Sequence, residues 1–338
     1  MILLTSTRFD EHVTPPGHPE RMERAHVFDA AAARWMSRGG RAAAPRAARR
    51  EELERVHDPG YVDRIARTAG HPSMLDEDTF TSPGSYEVAL LAAGAAIDAV
   101  DHALDHREAA FALVRPPGHH AERDRAMGFC LFNNAAVAAA SGLARGLDRV
   151  AVVDIDVHHG NGTQWMFYGD PRVLYISSHQ FPFYPGTGAA DEVGKDEGAG
   201  FTVNVPMEAG STDADYSLVY RAIVGPVLDA YAPQLLIVSV GYDAHQRDPL
   251  ASMRVSTAGY AAIVGMLQAS VTSHGSIALV TEGGYDLTAL ASCLDESFVT
   301  LDRGLSGART LPDDGPAPRG ERALAAVRAA QAPYWRAI

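Results

Sequence analysis

Two aspartates and a histidine alternate along one short apolar segment, which has the sequence V-V-D-I-D-V-H-H-G-N-G-T. Alternate side chains of a β-strand share a face, so Asp154, Asp156 and His158 can converge while the residues between them pack into a core. Carboxylate and imidazole ligands suit Zn²⁺ or Fe²⁺, and a catalytic metal needs roughly three protein ligands and one open position. A lone aspartate here could equally cap the next helix. Three such residues at this spacing predict a metal site at the end of a strand.

Three further polar clusters follow apolar runs elsewhere in the chain. In R-P-P-G-H-H-A, His119 and His120 stand side by side in a turn stiffened by proline and glycine, which favours acid–base chemistry over an ordinary hydrogen-bonding role. V-S-V-G-Y-D-A-H offers Asp243 as the missing carboxylate ligand, with a helix or turn cap as the alternative. V-T-E-G-G-Y puts Gly283 and Tyr285 on a loop where backbone and phenol can closely approach a substrate.

Short apolar runs alternate with alanine-rich segments along the chain. The apolar runs predict strands at Ile2–Thr5, Ala110–Val114, Val150–Ile155, Val173–Ser177, Phe201–Val205, Leu235–Val240 and Ile277–Thr281. The alanine-rich segments predict helices at Ser85–His106, Asn133–Arg145, Asp213–Ala230 and Thr257–His274. This alternation predicts an α/β fold, with an open parallel sheet and helices on both of its faces. Because ligands bind at the carboxyl ends of strands in such sheets, the four clusters should meet at one site.

The remaining segments contain no candidate catalytic or metal-binding cluster and bear mainly on the fold. Arg38–Arg50, rich in Arg, Ala and Pro, predicts a solvated connection. Residues at about 319–332 predict a last amphipathic helix packed on the outside. With 338 residues and a 46% apolar composition, the chain can bury a substantial core, and we expect one domain over residues 1–338.

Composition narrows the class of protein. The two cysteines, Cys130 and Cys293, lack C-x-x-C spacing, so neither a disulfide framework nor a thiolate zinc site is expected. No apolar run approaches the roughly 20 residues of a membrane helix, and Met1–Ser6 does not open a signal peptide, so we expect a cytoplasmic protein. The net charge of −13 argues against nucleic-acid binding and favours cationic substrates.

Together these motifs resemble those of the histone deacetylase family, which includes acetylpolyamine amidohydrolases. The resemblance runs from His18 to Tyr285 and rests on H-P-E-R, R-P-P-G-H-H-A, M-G-F-C-L-F-N-N, D-I-D-V-H-H-G-N-G-T-Q, P-G-T-G, G-Y-D-A-H-Q-R-D-P-L and E-G-G-Y. It implies a single-domain, arginase/deacetylase-like α/β fold whose catalytic motifs occupy residues 115–285, followed by the C-terminal helical extension.

The resemblance also implies roles for individual residues. Asp156, His158 and Asp243 would bind Zn²⁺, with Fe²⁺ as an alternative metal. His120 would be the general base, His119 its electrostatic partner and Tyr285 the group that stabilises the oxyanion. The remaining two catalytic positions would act on the histidines: Asp154, which orients His119, and Asn161, a neutral amide that leaves His120 less basic than the aspartate of some relatives would.

Relatives also bind monovalent cations, so the resemblance implies structural K⁺. One ion would lie beneath the zinc, near Asp154, the main chain of Asp156 and His158, Ser177 and Ser178. A second would use main-chain oxygens around Phe167, Asp170, Val173 and Phe201. Substrate contacts would come from Gly128, Phe129, Tyr184, Leu250 and Gly283, from Asp78 at the rim and from Arg21 at the foot of the pocket. Core packing is the alternative role for Phe129 and Leu250, and an ordinary surface position is the alternative for Asp78 and Arg21.

The resemblance therefore implies a zinc-dependent deacetylase that hydrolyses a linear amide, with an acetylated lysine peptide or an acetylpolyamine as substrate. A short connection between Ala69 and Ser85 and an apolar Leu250 in place of an acidic gate favour acyl-lysine. Two alternatives are a catalytically silent acyl-lysine binding module, disfavoured by Tyr285, and an arginase-type ureohydrolase, which would need a pair of Mn²⁺ ions and further carboxylates. Whether the chain forms a homo-oligomer stays open.

Overall fold

The structure is a computed structural model that describes residues 1–271, 275–303 and 315–338. In these residues the strands are β1 (Ile2–Leu4), β2 (Arg41–Ala43), β3 (Ser73–Met74), β4 (Phe80–Thr81), β5 (Ala110–Ala112), β6 (Val150–Asp154), β7 (Val173–Gln180), β8 (Thr202–Met207), β9 (Leu235–Val240) and β10 (Ser276–Thr281). The α-helices are α1 (Glu23–Ser37), α2 (Arg50–Leu53), α3 (Pro59–Ala66), α4 (Ser85–His106), α5 (Asn134–Ala144), α6 (Asn161–Phe167), α7 (Asp213–Val219), α8 (Gly225–Tyr231), α9 (Thr257–Val271), α10 (Leu287–Arg303) and α11 (Pro318–Gln331). Short 3₁₀ turns lie at Thr7–Glu11 and Asp196–Gly198, and a π-helical turn, Tyr220–Val224, joins α7 to α8.

Eight strands form one sheet in the order β2-β1-β5-β10-β9-β6-β7-β8, and every pairing in it is parallel. Strands β3 and β4 form a separate antiparallel hairpin. Neighbouring parallel strands cannot be joined by a tight turn, so helical segments carry the chain back across the sheet. The predicted α/β fold with an open parallel sheet is confirmed.

Apolar side chains on both faces of the sheet are buried under helices. In β6, Ala151 and Val153 belong to the core on one face, while Val150 and Val152 belong to the core on the other. Helices α4 and α5 cover the second face, and α1, α9 and α10 contribute to the first. Because both faces are buried, the central strands are nearly continuous apolar runs, as expected for a parallel sheet.

Close packing explains two features of the core. Gly94 in α4 lies against a loop backbone, and a Cβ there would come within 1.9 Å of the carbonyl oxygen of Arg46. Phe111 of β5 is fully buried and meets the ring of Phe298 edge-on, with 5.8 Å between the ring centroids. Truncating such a buried phenylalanine to alanine typically costs about 3–5 kcal/mol of stability.

Some elements differ from those the sequence predicts. Arg38–Arg50, predicted to be a solvated connection, contains the edge strand β2. The predicted helix Asp213–Ala230 is interrupted by the π-helical turn, and α9 ends at Val271, so the last three residues of its predicted range lie outside the described residues. Cys130 and Cys293 are free and buried, as expected. Among the described helices, none has the length and apolar character needed to cross a membrane.

Four neighbouring strands place the polar clusters together. In the sheet, β5, β10, β9 and β6 lie side by side and run in the same direction. Each of the four clusters begins at or just after the carboxyl end of one of these strands. The carboxyl ends of parallel strands share one edge of a sheet, so the clusters converge there, as the sequence predicts.

Candidate active site

Asp156, His158 and Asp243 form a buried trio of side chains whose ligand atoms lie within 4.8 Å of one another. Nδ1 of His158 lies 3.1 Å from Oδ1 of Asp156 and 3.2 Å from Oδ2 of Asp243. That Oδ2 atom is buried and has no hydrogen-bond partner in the described part of the chain. A buried polar atom without a partner is costly, so the arrangement is suited to a ligand that accepts its lone pair.

Backbone groups fix the two carboxylates of the trio. The N–H of Gly283 donates to Oδ2 of Asp156 at 2.8 Å, and the N–H of Val157 donates to Oδ1 of Asp243 at 2.9 Å. A Cβ at Gly283 would lie 2.1 Å from Oδ2 of Asp243, and one at Gly241 would lie 2.0 Å from Oδ2 of Asp156. Both loops therefore need glycine to approach the carboxylates this closely.

The charges within the trio also favour a bound cation. Although burial alone would lower the pKa of His158, the adjacent carboxylates of Asp156 and Asp243 raise that pKa to about 10. Burial, together with the charge of Asp156, raises the pKa of Asp243 to about 7. Two carboxylates and an imidazole are ligands that Zn²⁺ and Fe²⁺ accept, and a divalent cation would satisfy both the charge and the unpaired oxygen. The residues present thus fit a divalent metal.

The adjacent histidines occupy two different environments. Nδ1 of His119 lies 2.9 Å from Oδ2 of Asp154, whereas Nδ1 of His120 lies 2.8 Å from Oδ1 of Asn161. Burial would lower the pKa of His119, but the charges of Asp154 and Asp156 outweigh it and raise this pKa well above its usual range. The ring centroids of His119 and His120 are 4.0 Å apart.

The surroundings of His120 have the opposite effect on its pKa. Burial, followed by the charges of His119 and His158, lowers the pKa of His120 well below its usual range. The neutral amide of Asn161 provides a hydrogen bond but no negative charge to oppose this effect. His120 is therefore neutral near pH 7, which is the form that accepts a proton.

Glu282 ties the histidine turn to the tyrosine loop, and the sequence analysis did not identify it. Oε2 of Glu282 accepts the N–H groups of Gly118 at 2.6 Å and His119 at 3.1 Å, and Oε1 accepts the hydroxyl of Ser239 at 2.9 Å. Burial raises the pKa of Glu282 to about 7. The glutamate in E-G-G-Y was visible in the sequence, but its partners come from two other loops.

Tyr285 is buried with its phenol at the cavity. Its backbone N–H donates to Oδ2 of Asp248 at 2.6 Å, and the guanidinium of Arg24 lies 5.1 Å from the centre of its ring. Burial raises the pKa of Tyr285 well above its ordinary value, so the phenol keeps its proton and can donate a hydrogen bond.

The structure does not place Arg21 at the foot of the pocket, where the sequence analysis expected it. Arg21 is exposed and precedes α1, whereas Arg24 lies in the first turn of that helix and is fully buried. Arg24 donates to the carbonyl oxygens of Gly284 and Glu282, and it pairs with Glu20 at 3.0 Å. Because Arg21 lies before the helix begins, its side chain stays in solvent, whereas Arg24 is on the face of α1 that contacts the tyrosine loop.

A cavity of about 170 Å³ reaches His158 of the trio. It is lined by Asp78, His120, Gly128, Phe129, His158, Tyr184, Leu250 and Tyr285. Gly283, another predicted substrate contact, does not line this cavity and lies against the carboxylates of Asp156 and Asp243. The structure thus brings together the expected channel residues and the rim residue Asp78.

Aromatic rings shape the walls of this cavity. The ring of Tyr184 meets that of His120 edge-on at 5.1 Å, and Phe129 packs against the ring of His18 at 4.7 Å. Phe183, which the sequence analysis did not select, stacks on His158 at 5.3 Å with 18° between the ring planes. A Cβ at Gly128 in place of hydrogen would lie 2.4 Å from Cδ2 of His120, so this wall needs glycine.

Each of the two predicted monovalent-cation sites draws on residues from adjoining segments of the fold. Asp154 is the register partner of Ser177 across β6 and β7, and the Oγ of Ser178 lies 2.9 Å from the hydroxyl of Tyr220. For the second site, the relevant backbone lies around the turn from α6 to β7 and at the start of β8, at Phe167, Asp170, Val173 and Phe201. The carbonyl oxygens of Phe167, Asp170 and Phe201 accept backbone hydrogen bonds there. Both cation sites remain predictions.

Comparison with known proteins gives one consistent result. The profile of the histone deacetylase domain matches residues 18–301. A probable deacetylase of Archaeoglobus fulgidus is 40% identical over 82% of this chain and 79% of its own length. The histone deacetylase-like amidohydrolase of Pseudomonas aeruginosa is 43% identical over 78% of this chain and 70% of its own.

Two further comparisons cover nearly the whole chain. The human polyamine deacetylase HDAC10 is 37% identical over 99% of this chain, which spans 52% of that protein. The crystal structure of the HDA15 HD domain superposes with a TM-score of 0.90 and 37% identity, covering 99% of this chain and 94% of that one. Both the sequence and the arrangement of the sheet and helices are therefore shared with these proteins.

Proposed function

Because the chain belongs to the histone deacetylase family, we propose that it is a metal-dependent deacetylase that hydrolyses the amide of an acylated amine, with acyl-lysine as its main substrate class. The observation that carries this proposal is the convergence of three groups at one cavity. A neutral histidine and a protonated phenol line it, and so does His158 of the buried Asp-His-Asp trio. Amide hydrolysis needs a base, a donor to the carbonyl oxygen and an electrophile. The histidine and the phenol supply the first two, and the trio would hold a metal ion that supplies the third.

Asp156, His158 and Asp243 would hold the divalent metal, with Zn²⁺ proposed and Fe²⁺ as the alternative. When bound, such an ion lowers the pKa of water and polarises a carbonyl group. The backbone donors at Gly283 and Val157 orient the two carboxylates for this task. Glycines 241 and 283 leave the space that the carboxylates occupy.

His120 would accept a proton from the water that attacks the substrate carbonyl. Its Nδ1 is engaged by Asn161, which leaves Nε2 as the basic atom. His119, held in its charged form by Asp154, would stabilise the negative charge that develops next to it. When the carbon–nitrogen bond breaks, the proton taken up by His120 would pass to the leaving amine, which restores the neutral base.

Tyr285 would donate a hydrogen bond to the carbonyl oxygen as that atom gains negative charge. Asp248 and Arg24 fix the loop and the ring from which the hydroxyl projects. A donor held in place before the reaction is worth more than one recruited during it, and loss of one such donor typically lowers turnover by about 100-fold or more.

The walls of the cavity support acyl-lysine as substrate. Phe129, Tyr184 and Leu250 give it aromatic and apolar sides, which suit the methylene stem of a lysine. Acetylpolyamine is the second candidate, because HDAC10, a polyamine deacetylase, is similar along nearly the entire chain. The carboxylate of Asp78, which lines the cavity, would attract the remaining ammonium groups of an acetylpolyamine, whereas an acetylated lysine side chain carries no charge.

Turnover of the zinc-loaded protein on an acetyl-lysine peptide, N-acetylputrescine and N-acetylspermidine tests the proposal. We expect efficient cleavage of the peptide, weaker cleavage of the polyamines and a loss of about 100-fold in Tyr285→Phe. Tyr334→Phe, which alters an exposed phenol outside the cavity, is the matched control and should retain full turnover. Preferential cleavage of the polyamines would overturn the assigned substrate, and binding of the peptide without turnover would instead support a silent acyl-lysine binding module.

A further inference from the structure

A carboxylate outside the cavity lining is linked to the general base through one side-chain amide. Oδ1 of Asn161 lies 2.8 Å from Nδ1 of His120, and Nδ2 of Asn161 donates to Oε1 of Glu122 at 2.7 Å. We propose that Glu122 is a positioning residue for the reaction, because it fixes the orientation of the Asn161 amide and, through it, the tautomer of His120. The inference rests on the proposed deacetylase function.

The two ends of a side-chain amide have opposite hydrogen-bonding roles. An asparagine can turn its oxygen or its NH₂ group toward a neighbour, and these two groups have nearly the same shape. The oxygen facing His120 accepts an N–H and selects the imidazole with its proton on Nδ1. The NH₂ group facing His120 would instead favour a bare Nδ1 and a proton on Nε2, which would remove the basic atom from the reaction.

Glu122 resolves this ambiguity. A carboxylate carries only acceptor oxygens, so the atom of Asn161 that faces Glu122 must be the donor nitrogen. The oxygen of the amide then necessarily faces His120. The other contact of the Asn161 nitrogen, 3.4 Å from Sδ of Met127, is with a weak acceptor and gives much less preference between the two orientations.

The backbone of Glu122 is itself held in place. Its N–H donates to the carbonyl oxygen of Arg125 at 2.9 Å, and its own carbonyl oxygen lies 3.0 Å from Nδ1 of His57. The side chain is largely covered, with 21% of its surface exposed. Glu122 also follows directly after the H-H-A of the histidine turn, so the same rigid turn carries the base and the residue that orients it.

A double-mutant cycle separates this role from ordinary structural support. Aspartate at position 161 has two acceptor oxygens and needs no orienting partner, and it would stand next to the carboxylate of Glu122. Glu122→Ala should therefore lower kcat by about ten-fold in the Asn161 background, with KM changed by less than about two-fold. In the Asn161→Asp background the same substitution should leave kcat unchanged or raise it, because it removes a like-charge contact.

Two further variants test whether side-chain size or the neighbouring guanidinium, rather than the carboxylate of Glu122, causes the effect. Glu122→Met repeats the cycle with a side chain of similar length and should behave as Glu122→Ala does. Arg125→Ala removes an exposed guanidinium that lies 3.0 Å from the same carboxylate and should leave kcat within about two-fold of the original value. Melting temperature and metal content are recorded for each variant, so that a loss of fold or of metal is not taken for a loss of orientation.

A second readout does not depend on turnover. Long-range ¹H–¹⁵N correlation spectra of protein labelled with ¹⁵N-histidine distinguish the two imidazole tautomers, and the His120 signals are assigned by their loss in His120→Ala. We expect the Nδ1–H tautomer in the unaltered protein, a shift toward Nε2–H in Glu122→Ala and restoration of Nδ1–H in Asn161→Asp/Glu122→Ala. An unchanged tautomer in Glu122→Ala, or equal losses of kcat in both backgrounds, would overturn the inference. Absence of all turnover in the unaltered enzyme would refute the proposed function, and the tautomer spectra would still decide the role of Glu122.

Discussion

The carboxylate of Asp248 accepts the backbone N–H of Tyr285 at 2.6 Å through Oδ2 and the N–H of Leu250 at 3.0 Å through Oδ1. One buried side chain thus connects the proposed oxyanion donor to a wall of the cavity. The two groups come from different loops, after β9 and after β10, and Asp248 holds them in a fixed relation. We infer that it sets the position of the phenol relative to the bound amide.

Asp248→Asn should therefore impair turnover although Asp248 does not line the cavity. Asp248 also accepts the N–H of Asp286, at 3.2 Å through Oδ2. The asparagine keeps the size of the side chain but offers only one acceptor oxygen, so the N–H groups on one side of it lose their partner. We expect kcat on an acetyl-lysine peptide to fall by about ten-fold and the melting temperature to fall by a few degrees. Asp229→Asn, at an exposed position in α8, is the control. A kcat within about two-fold of the original would show that the phenol is positioned without Asp248.

The pH dependence of turnover should change in Asn161→Asp. Burial and the charges of His119 and His158 hold the pKa of His120 well below its usual range, and the base acts only while neutral. A carboxylate in place of the amide, 2.8 Å from Nδ1, would favour the protonated ring and raise this pKa. The acid limb of the kcat/KM profile should then move to higher pH by about one unit or more. An acid limb that stays in place would show that His120 does not control it.

The sequence predicts the parts of the site that follow central strands, because the spacing of residues along one strand determines which side chains share a face. Asp154, Asp156 and His158 lie at the end of an apolar run, so their convergence follows from strand geometry. The missed groups, Glu282 and Arg24, act through partners distant in sequence. Glu282 accepts a hydrogen bond from the histidine turn, and Arg24 donates one to the tyrosine loop, 260 residues away along the chain. Such contacts depend on tertiary packing, which no local pattern encodes.

The predicted secondary structure was wrong in two places where the local pattern carries no signal. Strand β2 has three residues, is exposed or half-buried and forms the edge of the sheet, so it lacks the apolar run that marks the central strands. The interruption between α7 and α8 preserves helical spacing on both sides of the π-helical turn. Periodicity therefore predicts one continuous helix there.

Removal of the metal should abolish turnover and lower stability. Dialysis against a chelator would leave the imidazole of His158 beside the carboxylates of Asp156 and Asp243 in place of a divalent cation. A single positive charge stabilises two buried carboxylates less than a divalent cation does, so the free energy of unfolding should fall. At a metal concentration about 100 times the dissociation constant, rebinding should contribute about 2.7 kcal/mol to the free energy of unfolding. We expect about one Zn²⁺ or Fe²⁺ per chain by elemental analysis and much weaker binding in Asp243→Asn. Two bound metal ions per chain would instead support the ureohydrolase alternative.

The choice between acyl-lysine and acetylpolyamine should depend on charge at Leu250, which lines the cavity. An acetylated spermidine carries further ammonium groups beyond the reacting amide, and a carboxylate at this wall would attract them. Leu250→Glu should therefore raise kcat/KM for N-acetylspermidine relative to the acetyl-lysine peptide by about ten-fold at low salt, and added salt should diminish the gain.

Leu250→Gln is the matched control for this substitution, because it has nearly the same shape as Leu250→Glu without the charge. We expect the glutamine variant to leave the ratio of the two kcat/KM values close to that of the unaltered protein. An equal change in both variants would mean that size and polarity at this wall, rather than charge, govern the substrate. A gain confined to Leu250→Glu would show that the lack of a negative charge at this wall, rather than the apolar character of Leu250, disfavours polyamines in the unaltered protein.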